Sequence, residues 1–269
     1  MSLTARRQVT KITDGSRRVQ FDLLATEEPL EIRVGGRALA VTMRTPGNDY
    51  ELAAGFLVSE GLVANADSIR RISYCPGEGR QEFNVLDVVL AGGAPLPPPE
   101  AARAFVTTSA CGLCGKASID TVRTRSSYEV ASDPVTVPAA VLAALPARLR
   151  PAQRLFERTG GLHAAGLFDA AGGLVCLRED VGRHNAFDKV IGWAALAGRL
   201  PLRGCVILAS GRASFELTQK ALMAGIPVLA AVSAPSSLAA ELAEEAGMTL
   251  VGFLRGGSMN VYAGAARVV

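Results

Sequence analysis

The sequence predicts an α/β protein, α+β overall, with a β-rich N-terminal part and a C-terminal, mostly parallel α/β layer. Short β-prone runs fill the first third of the chain. In the last half, apolar strand-like runs alternate with helical segments. Strands such as Val206 to Ala209 are apolar throughout, which is typical of strands covered on both faces. The expected boundary divides residues 1–135 from residues 136–269.

The first part is expected to contain several short strands and one helix. Gly35 and Gly36 predict a hairpin turn between two of the strands. Asn48 or Asp49 can cap the helix that follows, and Gly61 ends it. The strand candidates are RRVQFDLLA, LEIRVGG, RALAVTMRT, SIRRISYC and EFNVLDVVL. The Gly/Pro-rich segment GGAPLPPPE is expected to be a loop.

The last half alternates strands with helices. The successive pairs are LVCLRE with NAFDKVIGWAALAG, CVILAS with FELTQKALMAG, and PVLAAVS with SLAAELAEEAG, followed by the strand TLVGFLR. Gly225 and Gly247 stand where helix C-caps belong. Because ligands of such sheets bind at the carboxyl ends of the strands, the residues after each strand are the first candidates for a site.

Three of these strand ends carry both glycine and arginine. They are Arg178 to Asn185, Ser210 to Ser214, and Phe253 to Ser258. Glycine lets backbone N–H groups approach an anion, and arginine binds phosphate through a planar fork of donors. The sequence therefore predicts an anionic, nucleotide-like ligand at this edge of the sheet.

Composition excludes several classes of protein. The 269 residues carry a net charge of +3, and 49% of them are hydrophobic, which favours a globular protein. Apolar runs stay below the roughly 18 residues that a membrane helix needs, and the start, MSLTARRQVTKITDG, has no apolar h-region of the kind found in a secretory signal. Scattered cations and an aromatic content of 5% argue against a nucleic-acid partner. We expect a cytoplasmic protein with reduced thiols, in keeping with its odd count of five cysteines.

Two cysteines, Cys111 and Cys114, form a lone Cys-x-x-Cys with a glycine after each cysteine. A structural zinc site needs four ligands, commonly two such pairs or one pair with two histidines. The other three cysteines stand alone, and His163 and His184 match no zinc-finger spacing. The pattern therefore argues against a metal held by the protein. For each histidine a structural and a functional role both stay open.

Two other signatures fail at the cysteine pair. A zinc deaminase would show H-x-E before P-C-x-x-C, whereas both histidines follow the cysteines and neither has Glu two residues later. A P-loop would need glycine and Ser/Thr where Ala110 and Ala117 stand. The small flanking residues predict an accessible loop, and Lys116 with a predicted helix after it would favour a thiolate. Disulfide exchange and acceptance of sulfur from a persulfide both remain open, since they are the same displacement at sulfur.

Several long motifs, in order, resemble the formate dehydrogenase accessory sulfurtransferase family, the FdhD family. The resemblance covers nearly all of the chain after the N-terminal tail. Its motifs are NDYELAAGFLVSEGL, TTSACGLCGK, TGGLHAAGLFD, the run from Arg178 to Ala195, and the long segment from LASGRASFELTQK to FLRGGSMNVY.

The resemblance implies a sulfurtransferase. Family members take sulfur from a cysteine desulfurase as a cysteine persulfide and deliver it to a molybdenum or tungsten cofactor, bis(molybdopterin guanine dinucleotide), for formate dehydrogenase. It also implies a cytoplasmic homodimer whose C-terminal domain binds the cofactor and resembles the cytidine deaminase fold. Cys111 maps to the persulfide carrier and Cys114 to an assisting cysteine. The implied cofactor-binding residues are Phe253, Leu254, Arg255, Gly256, Gly257 and Ser258.

Two other functions stay open from the residues alone. One is a chaperone that binds the cofactor without chemistry, and the other is a dithiol oxidoreductase that needs both cysteines. Four residues are further candidates for the same pocket: Arg183, His184, Ser210 and Arg212.

Overall fold

A computed structural model of the chain describes residues 2–76, 83–92 and 126–269. These residues form three sheets and six α-helices. The strands are β1 (Thr4–Thr13), β2 (Ser16–Ala25), β3 (Glu28–Val34), β4 (Arg37–Arg44), β5 (Ile69–Tyr74), β6 (Val85–Leu90), β7 (His163–Phe168), β8 (Leu174–Asp180), β9 (Val206–Ala209), β10 (Val228–Ala231), β11 (Thr249–Arg255) and β12 (Ser258–Ala263). The helices are α1 (Asp49–Ser59), α2 (Ala139–Leu149), α3 (Arg154–Thr159), α4 (Arg183–Leu196), α5 (Phe215–Met223) and α6 (Ser237–Glu245). The predicted α/β fold class is confirmed.

The N-terminal part contains a hairpin and a four-stranded sheet. Strands β1 and β2 pair antiparallel over their full length, and the second sheet has the order β4-β3-β6-β5. The predicted turn at Gly35 and Gly36 joins β3 to β4 and is confirmed. Strand β1 lies in the N-terminal tail, to which the sequence assigned no element.

The start of α1 is confirmed, but its capping is different from the prediction. Asn48 occupies the N-cap with φ of 57°, and its side chain makes no capping hydrogen bond with the described residues. The Asp49 carboxylate does not cap either. It accepts hydrogen bonds of 2.9 Å from the buried Arg44 guanidinium and from the Tyr74 hydroxyl. Burial and the Asp49 charge raise the pKa of Tyr74 above its ordinary value.

The C-terminal sheet has the strand order β12-β11-β10-β9-β7-β8. Strands β9, β10 and β11 pair in parallel, whereas β7 runs antiparallel to both β8 and β9. Four of the six strands described in this sheet therefore run in one direction, in agreement with the predicted layer. Within β9, Ile207 and Ala209 face one apolar cluster, and Val206 and Leu208 face the other. Helices cover both faces, as the continuous apolar strands predict.

Helices α1 and α4 join the two parts of the protein at a close crossing. A side chain at Gly55 would overlap the Asp188 carbonyl, and one at Gly192 would overlap the Glu51 carbonyl. Only glycine permits this approach. One apolar cluster runs from β3, α1 and β6 through α4 to β9 and β10. The boundary at residue 135 stays a prediction.

Candidate functional site

The topology brings the predicted loops to one edge of the C-terminal sheet. The carboxyl ends of β8, β9, β10 and β11 meet there, together with the first residue of β7, His163. Backbone hydrogen bonds connect the loops in a row: Ser233 N–H donates to Gly211 O, and Phe253 N–H donates to Ser233 O, both at 3.1 Å. We call this region the strand edge; its members are His163, Arg183, His184, Ser210, Arg212 and residues 253–258.

The first loop places two side chains at the N-terminus of α4. Arg183 and His184 are the first two residues of this helix. Its N-cap residue is Gly182, so no side chain at the N-cap position caps the helix. The Arg183 Nε and His184 Nε2 atoms are buried and lack a hydrogen-bond partner among the described residues. Since the helix dipole adds positive potential at this point, the loop favours an anion.

Glu216 is the charged neighbour of His184. Its Oε2 lies 3.3 Å from His184 Nε2, an ion-pair distance without the alignment of a hydrogen bond. The contact with His184 holds the pKa of the Glu216 carboxyl at about 2, below its ordinary 4.5. Glu216 therefore remains an anion at neutral pH and fixes the position of the imidazole.

His163 lies at the start of β7, directly beside the second loop. A Cβ added to Gly211 would stand 3.4 Å from His163 Nδ1, so the backbone passes close to the ring. Burial lowers the pKa of His163, and the charges of Arg183 and His184 lower it further. His163 is thus neutral at neutral pH and can accept as well as donate a hydrogen bond.

Ser210 has a structural contact that its sequence position did not reveal. Its hydroxyl accepts a hydrogen bond of 2.8 Å from the Ala164 N–H, which ties the end of β9 to β7. The hydroxyl proton remains available as a donor to a ligand.

The third loop, residues 253–258, comprises the end of β11, the two-residue turn at Gly256 and Gly257, and the first residue of β12. Phe253 has φ of 52°, an uncommon conformation for a bulky residue. Gly256 and Gly257 also have positive φ, at 60° and 79°, which the turn requires. Arg255 is exposed, whereas the Leu254 side chain is fully buried in the core. The turn can therefore present backbone and Arg255 donors, while the Leu254 side chain packs internally.

A cavity of about 490 Å³ opens beside His163 and Ser210. This volume lies within the range of about 300–1,000 Å³ that small-molecule sites occupy. Its outer wall contains Arg150 and Phe156, and the Arg150 guanidinium lies 4.3 Å from the centre of the Phe156 ring. The sequence reasoning missed these wall residues, because no spacing signal connects them to the strand ends. The remaining lining residues are Pro146, Leu149, Gln153, Gly160, Gly161, Leu162 and Val232.

Buried ion pairs hold the first loop in place. The Asp180 carboxylate lies 2.7 Å from Lys189 Nζ and accepts hydrogen bonds from the Gly182 N–H at 2.8 Å and the Asn185 amide at 3.0 Å. It also accepts one from the Thr45 N–H at 3.1 Å, which belongs to the N-terminal part. All of these groups are buried or half-buried. The loop that carries Arg183 and His184 is therefore fixed by contacts across both parts.

A second buried pair supports α5. Lys220 Nζ lies 2.8 and 3.0 Å from the two Asp188 oxygens, and the Ser59 hydroxyl donates to Asp188 at 2.8 Å. Burial alone would lower the pKa of Lys220, but Asp188 and Glu60 raise it. The lysine thus stays charged, and α5 is held against both α4 and α1.

The predicted sulfur site, Cys111 and Cys114, lies outside the described residues. Of the described cysteines, Cys176 is buried, and burial raises its thiol pKa to about 11. Cys75 and Cys205 are half-buried. Across residues 2–76, 83–92 and 126–269, no group of three His, Cys, Asp or Glu side chains could hold a metal ion. In the same residues, no helix has both the length and the apolar character to span a membrane.

Comparison with known proteins gives a consistent result. The model of the FdhD/NarQ family matches residues 25–269. Two curated relatives are each named "Sulfur carrier protein FdhD". The protein of Mycolicibacterium paratuberculosis is 58% identical over 271 residues, with all of both chains covered. That of Streptomyces avermitilis is 59% identical over 270 residues, covering 99% of this chain and 96% of its own.

A solved structure supports the same assignment. It is the crystal structure of a protein from Desulfotalea psychrophila that is named as a formate dehydrogenase accessory protein. The likeness covers all of both chains, with a TM-score of 0.77 and 26% sequence identity. The family model covers the strand edge, the cysteine pair and both parts of the fold, and the chain belongs to the FdhD/NarQ family.

Proposed function

We propose that this protein is a sulfurtransferase that serves formate dehydrogenase. It accepts sulfur from a cysteine desulfurase as a persulfide on Cys111. It then delivers the sulfur to bis(molybdopterin guanine dinucleotide) carrying molybdenum or tungsten. The observation that carries the proposal is the whole-chain likeness to relatives named as sulfur carriers, in a chain that contains Cys-x-x-Cys.

The loading step is a displacement at sulfur. The Cys111 thiolate attacks the outer sulfur of the desulfurase persulfide, a new S–S bond forms, and the S–S bond of the donor breaks. The donor cysteine leaves as a thiolate, so that no external oxidant or reductant is consumed. Cys114 would assist by holding or relaying the sulfur.

The strand edge supports the receiving half of the proposal. The cofactor is cargo here, and its guanine dinucleotide arms carry phosphates. Arg183, Arg212 and Arg255 offer cationic donors in three neighbouring loops, and the N-terminus of α4 adds its dipole. The Arg183 Nε atom, which lacks a hydrogen-bond partner among the described residues, is a donor of the kind that such a ligand requires.

The remaining parts of the proposal rest on the family resemblance. The protein acts in the cytoplasm as a homodimer, with the desulfurase and formate dehydrogenase as its partners. It holds no metal through its own side chains, because the metal arrives and leaves with the cofactor. Neither nucleic acid nor a membrane takes part.

Complementation with a cysteine variant tests the proposal. In a strain that lacks this protein, Cys111→Ala should fail to restore formate dehydrogenase activity, while the purified variant still binds cofactor. Cys75→Ala, the matched control at a half-buried cysteine, should restore activity fully. If Cys111→Ala restored activity, the protein would be a cofactor-binding chaperone and the sulfurtransferase proposal would be wrong.

A further inference from the structure

The N-terminal hairpin exposes a row of apolar side chains. Ile12, Val19 and Phe21 are 60%, 59% and 58% exposed. In the hairpin register, Val19 pairs with Thr10 and Phe21 pairs with Gln8. Since side chains alternate along a strand, the three apolar residues lie on one face of the hairpin. This surface, the hairpin face, shares no residue with the strand edge, and none of its side chains takes part in the proposed displacement at sulfur.

Little of the hairpin is supported by the rest of the protein. In the described part of the chain, β1 and β2 form a sheet with each other only, and α3 packs against β2. Ten residues per strand span about 34 Å, and two-stranded ribbons are marginally stable in water on their own. The family model begins at residue 25, the last residue of the hairpin. An extended ribbon with an apolar face is therefore suited to contact another molecule.

Charge identifies the kind of partner. Residues 4–25 contain five cations and two carboxylates, a net charge of +3 that equals the excess of the whole chain. Arg6 and Arg17 lie on the hairpin face, and the Arg6 guanidinium stands 3.8 Å from the centre of the Phe21 ring. Two copies of this face would repel each other, whereas an acidic surface would be attracted.

The partner is a protein surface rather than a lipid or a nucleic acid. An apolar centre flanked by arginine and an aromatic residue is the composition of a protein–protein interface. Single-stranded nucleic acid would need several stacking rings, and the hairpin offers Phe21 alone. A membrane-binding surface would need a longer apolar face than the three exposed side chains provide.

The position of the hairpin connects this surface to the cavity. Helix α3 contacts β2 on one side, and its Phe156 lines the cavity beside His163. A protein bound to the hairpin would therefore stand next to the ligand that the cavity holds. We propose that the hairpin face binds cofactor-free formate dehydrogenase. The surface of formate dehydrogenase that it contacts is an acidic patch with an apolar centre. This inference rests on the proposed function for the identity of the partner.

Binding of two serine variants tests the docking surface. The probe is purified, cofactor-free formate dehydrogenase of the same organism, and binding to the full-length protein is measured by biolayer interferometry at low and high salt. Phe21→Ser should raise Kd by about tenfold or more, as expected for an aromatic anchor. Leu24→Ser, the matched control at an exposed apolar residue of the opposite face, should change Kd by less than about twofold.

A charge-reversal variant separates the electrostatic contribution. Arg6→Glu combined with Arg17→Glu should weaken binding further and remove most of its salt dependence. Both serine variants should keep the wild-type melting temperature. Equal losses for Phe21→Ser and Leu24→Ser would overturn the docking surface. A changed oligomeric mass for Phe21→Ser would instead assign the face to a second copy of the chain.

Parallel measurements separate this inference from the proposed function. Phe21→Ser should still load persulfide on Cys111 from the desulfurase. Intact loading with lost docking supports the inference, whereas lost loading would assign the face to the desulfurase and overturn it. Loss of binding to anionic vesicles or single-stranded RNA, with formate dehydrogenase binding intact, would also overturn it. If the wild-type protein never loads persulfide, the proposed function fails while the docking result stands.

Discussion

The strand edge and the hairpin face both carry arginines, yet they are constructed in opposite ways. Two of the strand-edge loops follow the largely buried strands β9 and β11, and the loop after the half-buried β8 is fixed by the buried Asp180–Lys189 pair. The hairpin face lies on two exposed strands, on which Ile12, Val19 and Phe21 are each more than half exposed. Substitutions beneath the strand edge should therefore alter stability and function together, whereas substitutions on the hairpin should alter binding alone.

The largest effect is expected when the buried cation beneath the strand edge is removed. Lys189→Ala leaves the Asp180 carboxylate buried without its ion-pair partner, and should cost about 3–5 kcal/mol of unfolding free energy. Chemical denaturation measures the loss. Arg18→Ala on the exposed hairpin is the control and should stay within about 0.5 kcal/mol of wild type. Similar costs at both positions would contradict the comparison.

The crossing of α1 and α4 provides the next largest effect. Gly192→Ala would introduce a Cβ that overlaps the Glu51 carbonyl, so the helices must separate, at about 1–3 kcal/mol. Alanine has a higher helix propensity than glycine and would stabilise the helix if space allowed. A loss of unfolding free energy would therefore indicate the overlap with the Glu51 carbonyl. Gly92→Ala, where a Cβ meets no described atom within 4 Å, is the control. A stabilised Gly192→Ala protein would show that the helices do not pack this closely.

Acid titration addresses Glu216 at the strand edge. Because folding lowers its pKa from 4.5 to about 2, its contribution is complete above pH 4.5 and is lost as the pH falls toward about 2. Glu216→Gln should therefore cost about 1–2 kcal/mol near neutral pH, after allowance for solvent screening. The difference from wild type should vanish at the acid end of this window. A difference that is constant with pH would mean that the carboxylate charge contributes nothing.

The smallest expected change in stability accompanies a change in binding. Arg255 is the exposed last residue of β11, so Arg255→Ala should leave the melting temperature unchanged. Its affinity for guanosine diphosphate, the probe for the cofactor arms, should fall about tenfold, the value of a lost charged hydrogen bond. Isothermal titration calorimetry measures this affinity. Arg37→Ala, an exposed arginine on β4, is the control and should bind the probe as wild type does.

Periodicity predicted the scaffold of the strand edge. After residue 170, apolar strand-like runs alternate with helical segments, and this pattern predicted β8 to β11 and α4 to α6. Glycines such as Gly225 and Gly247 marked the ends of helices. The order of the strands in the sheet was harder to predict from the sequence. Strand β7 runs antiparallel between β8 and β9, and this position adds His163 to the strand edge. The placement depends on long-range strand pairing, which the local sequence does not predict.

Other features escaped prediction for identifiable reasons. Helix α2 contains Pro146, a residue that argues against a helix interior, although tertiary packing of Leu142, Leu145 and Leu149 maintains it. Asp49 was expected as a possible helix cap. Its carboxylate instead binds the charged guanidinium of the buried Arg44, which is a stronger partner than the backbone N–H groups at the helix N-terminus. The cavity wall at Arg150 and Phe156 lies outside every strand end, so only the folded chain connects it to the site.

Persulfide formation on Cys111 is the most direct test of the central claim. The full-length protein is incubated with a cysteine desulfurase and cysteine, digested without reductant, and the peptide that contains Cys111 and Cys114 is analysed by mass spectrometry. We expect the gain of one sulfur atom on Cys111 in the wild type and in Cys114→Ala, and no gain in Cys111→Ala. A disulfide between the two cysteines without any added sulfur would contradict the account and identify a dithiol oxidoreductase.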